Sequence, residues 1–175
     1  MNNILGLDIN TISTGFSVID EEEKLLKYGV IDTSEQEDMY SKLDAFSLLI
    51  QPLSEEFCFE KIGVEDALGK FLAGKSNIKT IAALLRFNAL ASYKCYEIFE
   101  VKPRHLNVLR ARSLALGHSI PRGLQSKIYV LEQVMKWYPD IELPKMKRKD
   151  DYAKTAFDIC DSIIISKAIL RDDRE

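Results

Sequence analysis

Four carboxylates stand where this sequence otherwise reads as protein interior. Asp8 lies among Leu5, Leu7 and Ile9, Glu65 follows Ile62 and Val64, and Asp158 and Asp161 interrupt the run TAFDICDSIIIS from Thr155 to Ser166. An ionised carboxylate in an apolar interior costs several kcal/mol unless a cation or hydrogen-bond donors compensate. Asp158 and Asp161 are three apart in a segment of helical periodicity, so they project from one helix face. A solvated stripe on an amphipathic helix has the same spacing, and the pair alone does not separate the two readings. Asp8 and Glu65 end strands, where a sheet presents ligands, so all four acids can share one cleft. Two divalent cations would neutralise them charge for charge. Oxygen donors without Cys or His favour Mg²⁺, with Mn²⁺ as a substitute, over zinc. Two such ions about 4 Å apart suit in-line phosphodiester chemistry, one activating water and the other stabilising the leaving oxygen.

A polyanionic substrate needs cations, and their distribution is uneven. The net charge is -3, yet Met1–Asp66 holds 4 basic and 15 acidic residues, whereas Ala67–Leu131 holds 11 and 2. That middle stretch, with His105 and His118, is a candidate anion-binding surface unless folding mixes the two signs. Lys70, Lys75, Arg104, Arg110, Arg112, Arg122 and Lys127 are its phosphate-contact candidates. Either Arg122 or Lys127 can reach the scissile phosphate at the start of a helix, where free N–H groups also favour anions. Phe71 and Leu72, in a glycine-flanked loop, can wedge between bases of distorted DNA or anchor the loop on the core. Asp66 and Asp151 are candidate outer partners of the acids, or a strand-end acid and a helix cap.

The elements that must position these groups follow from periodicity and turn residues. NILGLDI, FSVID and KLLKYGVIDT read as three strands of an antiparallel meander, and FEKIGVEDA as a fourth. The Asp38–Phe57 pattern is helical, with Pro52 set to kink or divide it. Ile78–Phe99 is a helix with a wide apolar face, capped by Ser76 or Asn77. A fifth strand is expected at Phe99–Lys102. Then come a short helix or irregular segment at Arg104–Leu116, a turn at GHSIPRG and a helix from Leu124 to Trp137. The last helix, Tyr152–Ile169, has Asp150 or Asp151 as its cap. Strands and helices in this order predict an α/β domain with a mixed five-stranded sheet flanked by helices.

At 175 residues the chain is read as one domain, 1–175, large enough to fold without disulfides. No apolar run approaches the roughly 20 residues of a membrane span, and no signal peptide is expected. Cys58, Cys95 and Cys160 lack any metal-ligand spacing, so three buried thiols in a reducing compartment are expected.

The motifs ILGLDINTISTGFSVID, IGVEDA and FDICDSIIIS together resemble the RuvC family of Holliday-junction resolvases, whose fold is ribonuclease H-like. The likeness covers essentially the whole chain in length and element order. Departures are local: Ile9-Asn10 stands where members commonly have Pro-Gly, and Asp66 where Gln is common. By position, the resemblance implies that Asp8, Glu65, Asp158 and Asp161 are the metal-binding catalytic set. It further implies a homodimeric, Mg²⁺-dependent endonuclease that nicks paired strands of four-way and other branched DNA. The location implied is cytoplasmic, the host cytoplasm if the chain is phage-encoded; any motor partner is left open. The helix carrying Ile81, Leu84, Leu85, Leu90 and Tyr93 is apolar enough for a dimer interface, or for burial on its own sheet. Two other enzymatic readings stay open: a ribonuclease H-like nuclease of structured RNA, and an ATP-binding domain of the actin and sugar-kinase kind. A catalytically silent DNA-architecture protein is a further alternative, against which the four acids argue.

Overall fold

The computed structural model describes residues 2–67, 78–146 and 151–172. Lys70, Phe71, Leu72, Lys75 and the candidate caps Ser76, Asn77 and Asp150 lie outside the described residues. Strands β1 (Asn3–Asp8), β2 (Ser13–Ile19) and β3 (Leu25–Asp32) form the antiparallel meander. β4 (Phe59–Glu65) and β5 (Arg104–Leu106) add in parallel beyond β1, giving the order β3-β2-β1-β4-β5.

Side-chain alternation sends successive strand residues to opposite faces. Leu5, Leu7, Ile9, Ile62 and Val64 enter a core with α1 (Met39–Ile50), α2 (Pro52–Glu56) and α3 (Ile78–Phe99). There Phe46 and Phe87 meet edge to face with ring centroids 6.2 Å apart. Ile4 turns to the other face, into a core with α4 (Val108–Leu116), α5 (Ser126–Trp137) and α6 (Lys154–Arg171). Gly6, Gly15 and Gly63 lie under α6 so closely that a Cβ at any of them would come within 3.0 Å of the helix. Side-chain-free sheet positions therefore let α6 sink onto the sheet, and every residue from Asp158 to Ile169 is buried. That removes the solvated-stripe reading of Asp158 and Asp161.

Several local expectations are corrected. The fifth strand is Arg104–Leu106, not Phe99–Lys102, because α3 continues through Phe99. Glu100 then turns the chain with φ at 57°, and Pro103, lacking an N–H, marks where an edge strand can begin. Pro52 does divide the first helical pattern, into α1 and α2. Neither Asp150 nor Asp151 is the residue at which α6 begins. Its N-cap is Ala153, without a side-chain cap, and the entry is held by main-chain bonds from Ala153 to Pro144 and from Met146 to Asp151. Cys95 and Cys160 are buried as expected, whereas Cys58 is exposed. Among the described residues no helix is long and apolar enough to cross a membrane.

Candidate active site

Asp8 and Glu65 end the neighbouring parallel strands β1 and β4, whose register pairs Leu7 with Val64, so the two acids stand level with each other. Asp161 comes down on them from α6. One carboxylate oxygen from each of the three lies within 4.8 Å of the others. All three residues are buried, exposing 3%, 4% and 6% of their surface. The alternation that buries Leu7 and Val64 on one face delivers Asp8 and Glu65 to the other, the face covered by α6.

Polar neighbours hold the strand ends. The Asn10 amide donates to Asp8 Oδ2 at 3.4 Å, and Asn88 on α3 donates to the Glu65 main-chain carbonyl at 3.1 Å. Asp66, next along the chain, uses its main-chain N–H to reach the carbonyl of Leu106. On α6, Asp161 Oδ1 accepts from Arg112 Nη2 at 3.1 Å. Burial pushes the Asp161 pKa up and the charge of Asp8 adds to this, while Arg112 and Lys127 pull it down. Arg112 has only 12% of its side chain exposed, and its Nε finds no acceptor among the described residues.

Asp158, one turn earlier on α6, stands beside the three-acid group rather than within it. Its Oδ2 accepts from the Ser13 hydroxyl at 2.6 Å. Burial raises its pKa, the Ser13 bond opposes this, and Asp8 raises it further, with Lys154 and Lys127 acting against. Asp158 and Asp161 thus both feel Asp8 and Lys127.

The basic candidates separate by what they touch. Arg104 and Arg110 converge on buried Asp172, at 3.2 and 2.5 Å, which neutralises charge inside the protein. Arg112 faces the acids. Arg122 and Lys127 are exposed, and Lys127 lies in the first turn of α5 with its ammonium 5.9 Å from the Phe157 ring centre. Sequence reasoning missed Ser13, Asn88 and the inward turn of Arg112. Ser13 alone carried a signal, since it shares the strand alternation of Gly15 and Ser17 on the α6 face.

No protein-family model and no curated protein matches the sequence. Solved structures do match. T. thermophilus RuvC in complex with a Holliday junction substrate is 15% identical, with a TM-score of 0.67 over 96% of this chain and 92% of that one. A second Thermus thermophilus RuvC structure is 18% identical, with a TM-score of 0.66 over 95% and 92%. This chain has the RuvC-like fold, a ribonuclease H-like mixed five-stranded sheet with flanking helices.

Proposed function

We propose that this chain is a metal-dependent, structure-selective endonuclease that resolves Holliday junctions and other branched DNA by paired nicks. One observation carries the reading: the buried carboxylates of Asp8, Glu65 and Asp161 converge within 4.8 Å at the ends of parallel strands. Burial, and after it the charge of Asp8, raise the Asp161 pKa, so the set calls for a compensating cation, and hard oxygen donors fit a hard divalent one. Asp8, Glu65 and Asp161 would hold Mg²⁺, or Mn²⁺ in its place, with Asp158 the fourth carboxylate of a two-ion site. Bound there, the ions supply positive charge that activates water and stabilises the leaving oxygen of a phosphodiester.

The protein's own groups prepare that site. Ser13 and Asn10 orient Asp158 and Asp8, and Arg112 fixes the Asp161 carboxylate from the α4 side. The close seat of α6 on the sheet leaves no room for a side chain between them at Gly6, Gly15 or Gly63. Lys127 and Arg122, at the start of α5 and in the loop before it, bind the phosphates of the entering strand. Paired nicks need two sites, so we assign a homodimer. Leu90, Tyr93 and Tyr96 on the outer side of α3 remain exposed and suit such an interface, while Ile81 is buried. The cytoplasm is the assigned location.

The deciding experiment incubates a labelled four-way DNA junction with the protein, with and without Mg²⁺, beside linear duplex and folded RNA as competitors. Symmetric nicks that require Mg²⁺ and resist competition are expected. Preferential cleavage of the RNA, or none of the junction, overturns the reading.

A further inference from the structure

Beside the acids lies a cavity of about 400 Å³ that the catalytic assignment does not use. It opens between α4 and the start of α5, and the loop 117–125 closes its far side. Gly117 and Gly123 shape this loop, with φ at 77° and 88°, a left-handed backbone that glycine adopts without strain. Three kinds of group line the cavity. Leu109, Ile120, Pro121 and Leu124 make apolar walls, and Leu109 and Leu124 stay 73% and 52% exposed. Arg112 and Arg122 bring two positive charges, and no acidic residue faces them from the lining. Ser113, Ser119 and Ser126 add hydroxyls.

The position matters as much as the lining. Arg112 is shared: it forms part of the cavity wall while its Nη2 is bonded to Asp161. A ligand there stands one guanidinium away from the candidate metal ligands. A metal ion would be repelled by the cationic lining, and an apolar peptide would leave the exposed Arg122 without a counterion, whereas Arg112 already has Asp161. A group with one flat apolar face and one anionic end satisfies every wall.

We propose that this cavity receives one unstacked nucleotide of the cleaved strand, base against the leucine and proline walls and phosphate on Arg122, and so confers base preference beside the scissile bond. The proposal rests on the nuclease reading. Aliphatic walls hold a base by area and dispersion, and the polar edge groups of the base meet the serines, which discriminate among bases. Base unstacking is least costly at a branch point, where stacking is already interrupted.

The test uses the whole protein and four-way junctions with 2-aminopurine at each of the three nucleotides on either side of the mapped nick. In Ca²⁺, to hold the complex uncut, fluorescence rises at a single position, because the base leaves its stacked neighbours for an aliphatic pocket. Ser113→Phe, which fills the cavity from an exposed helix position, and Leu109→Ser, which removes a wall, both abolish that rise. In Mg²⁺, both variants also flatten the ratio of cleavage rates among junctions that differ at that base. A rise that persists in both variants, or a rate ratio that matches wild type, overturns the pocket assignment and leaves the nuclease reading standing. Full competition by free deoxyadenosine monophosphate would make the cavity a mononucleotide site and likewise overturn the strand assignment. No cleavage of any junction by wild type overturns the nuclease reading itself, and the pocket assignment with it.

Discussion

Gly15 on β2 touches Asp158 on α6 backbone to backbone, so that any side-chain carbon at position 15 would lie closer than 3.0 Å to the Asp158 carbonyl. The candidate site therefore depends on an atom that is not there. Gly15→Ala must push α6 away from the sheet or prevent it from seating. The expected cost is at the upper end of the roughly 1–3 kcal/mol typical of overpacking, with cleavage lost along with it. Thermal melting and the junction assay read both effects; an unchanged melting temperature would remove this contact from the account.

Replacing single acids tests the metal assignment. Asp8→Asn, Glu65→Gln, Asp158→Asn and Asp161→Asn are each expected to abolish Mg²⁺-supported cleavage while junction binding at low salt is kept or improved, since each removes a negative charge facing phosphate. Asp158 is the most informative of the four, because Ser13 holds it beside the three-acid group. Wild-type cleavage by Asp158→Asn would reduce the site to three carboxylates.

Arg112 compensates Asp161 in the metal-free protein. Arg112→Ala leaves a buried carboxylate without its nearest cation and should lower metal-free stability by about 1–3 kcal/mol. Mg²⁺ then replaces the missing charge, so the melting temperature should rise on adding Mg²⁺ by more in this variant than in wild type. Equal rises in both proteins would show that the ion does not bind near Asp161.

The basic residues should divide into two groups by their salt dependence. Arg122→Ala and Lys127→Ala are each expected to reduce the slope of log affinity against log salt by about 1, since each removes one phosphate contact. Arg104→Ala and Arg110→Ala should instead destabilise the fold with little change in slope, because both guanidinium groups are held on the buried Asp172 carboxylate. Salt titrations of junction binding by the four variants distinguish the groups.

Far from the acids, Lys167 is buried on α6, its ammonium 4.6 Å from the Trp137 ring centre and paired with Glu23, which also binds Arg171. Burial tends to raise the Glu23 pKa, but the bonds from Arg171 and Lys167 outweigh it and the net shift is downward. A carboxylate lowered on folding contributes stability above its ordinary pKa of 4.5, and that contribution is lost as pH falls through the lowered value. Glu23→Gln should therefore cost up to about 3 kcal/mol at neutral pH, less any screening of the partly exposed partner, and should flatten the acid limb of the stability curve. Urea unfolding from neutral to acid pH measures both.

Much of this architecture was legible in residue order because alternation is local. The spacing of Leu5, Leu7 and Ile9, and of Ile62 and Val64, marks one buried face, so Asp8 and Glu65 must lie on the other. The helical spacing of Asp158 and Asp161 likewise places them together whatever the rest of the chain does. Turn chemistry was less decisive. Lys102-Pro103 moved the last strand by a few residues, and α6 begins at Lys154, after the N-cap Ala153, with main-chain bonds to residues 144–146 in place of a side-chain cap.

The remaining features depended on contacts between distant parts of the chain, whose distances no local pattern encodes. Burial of the acids became certain only when α6 settled on three glycines from three different strands. Charge behaved in the same way: among the arginines named from the basic stretch, Arg104 and Arg110 turned to Asp172, Arg112 turned to Asp161, and Arg122 stayed exposed. Composition counts charges along the chain, but an ion pair forms only where folding brings two of them within a few ångströms. Ser13 and Asp158, 145 residues apart, share a 2.6 Å hydrogen bond for the same reason.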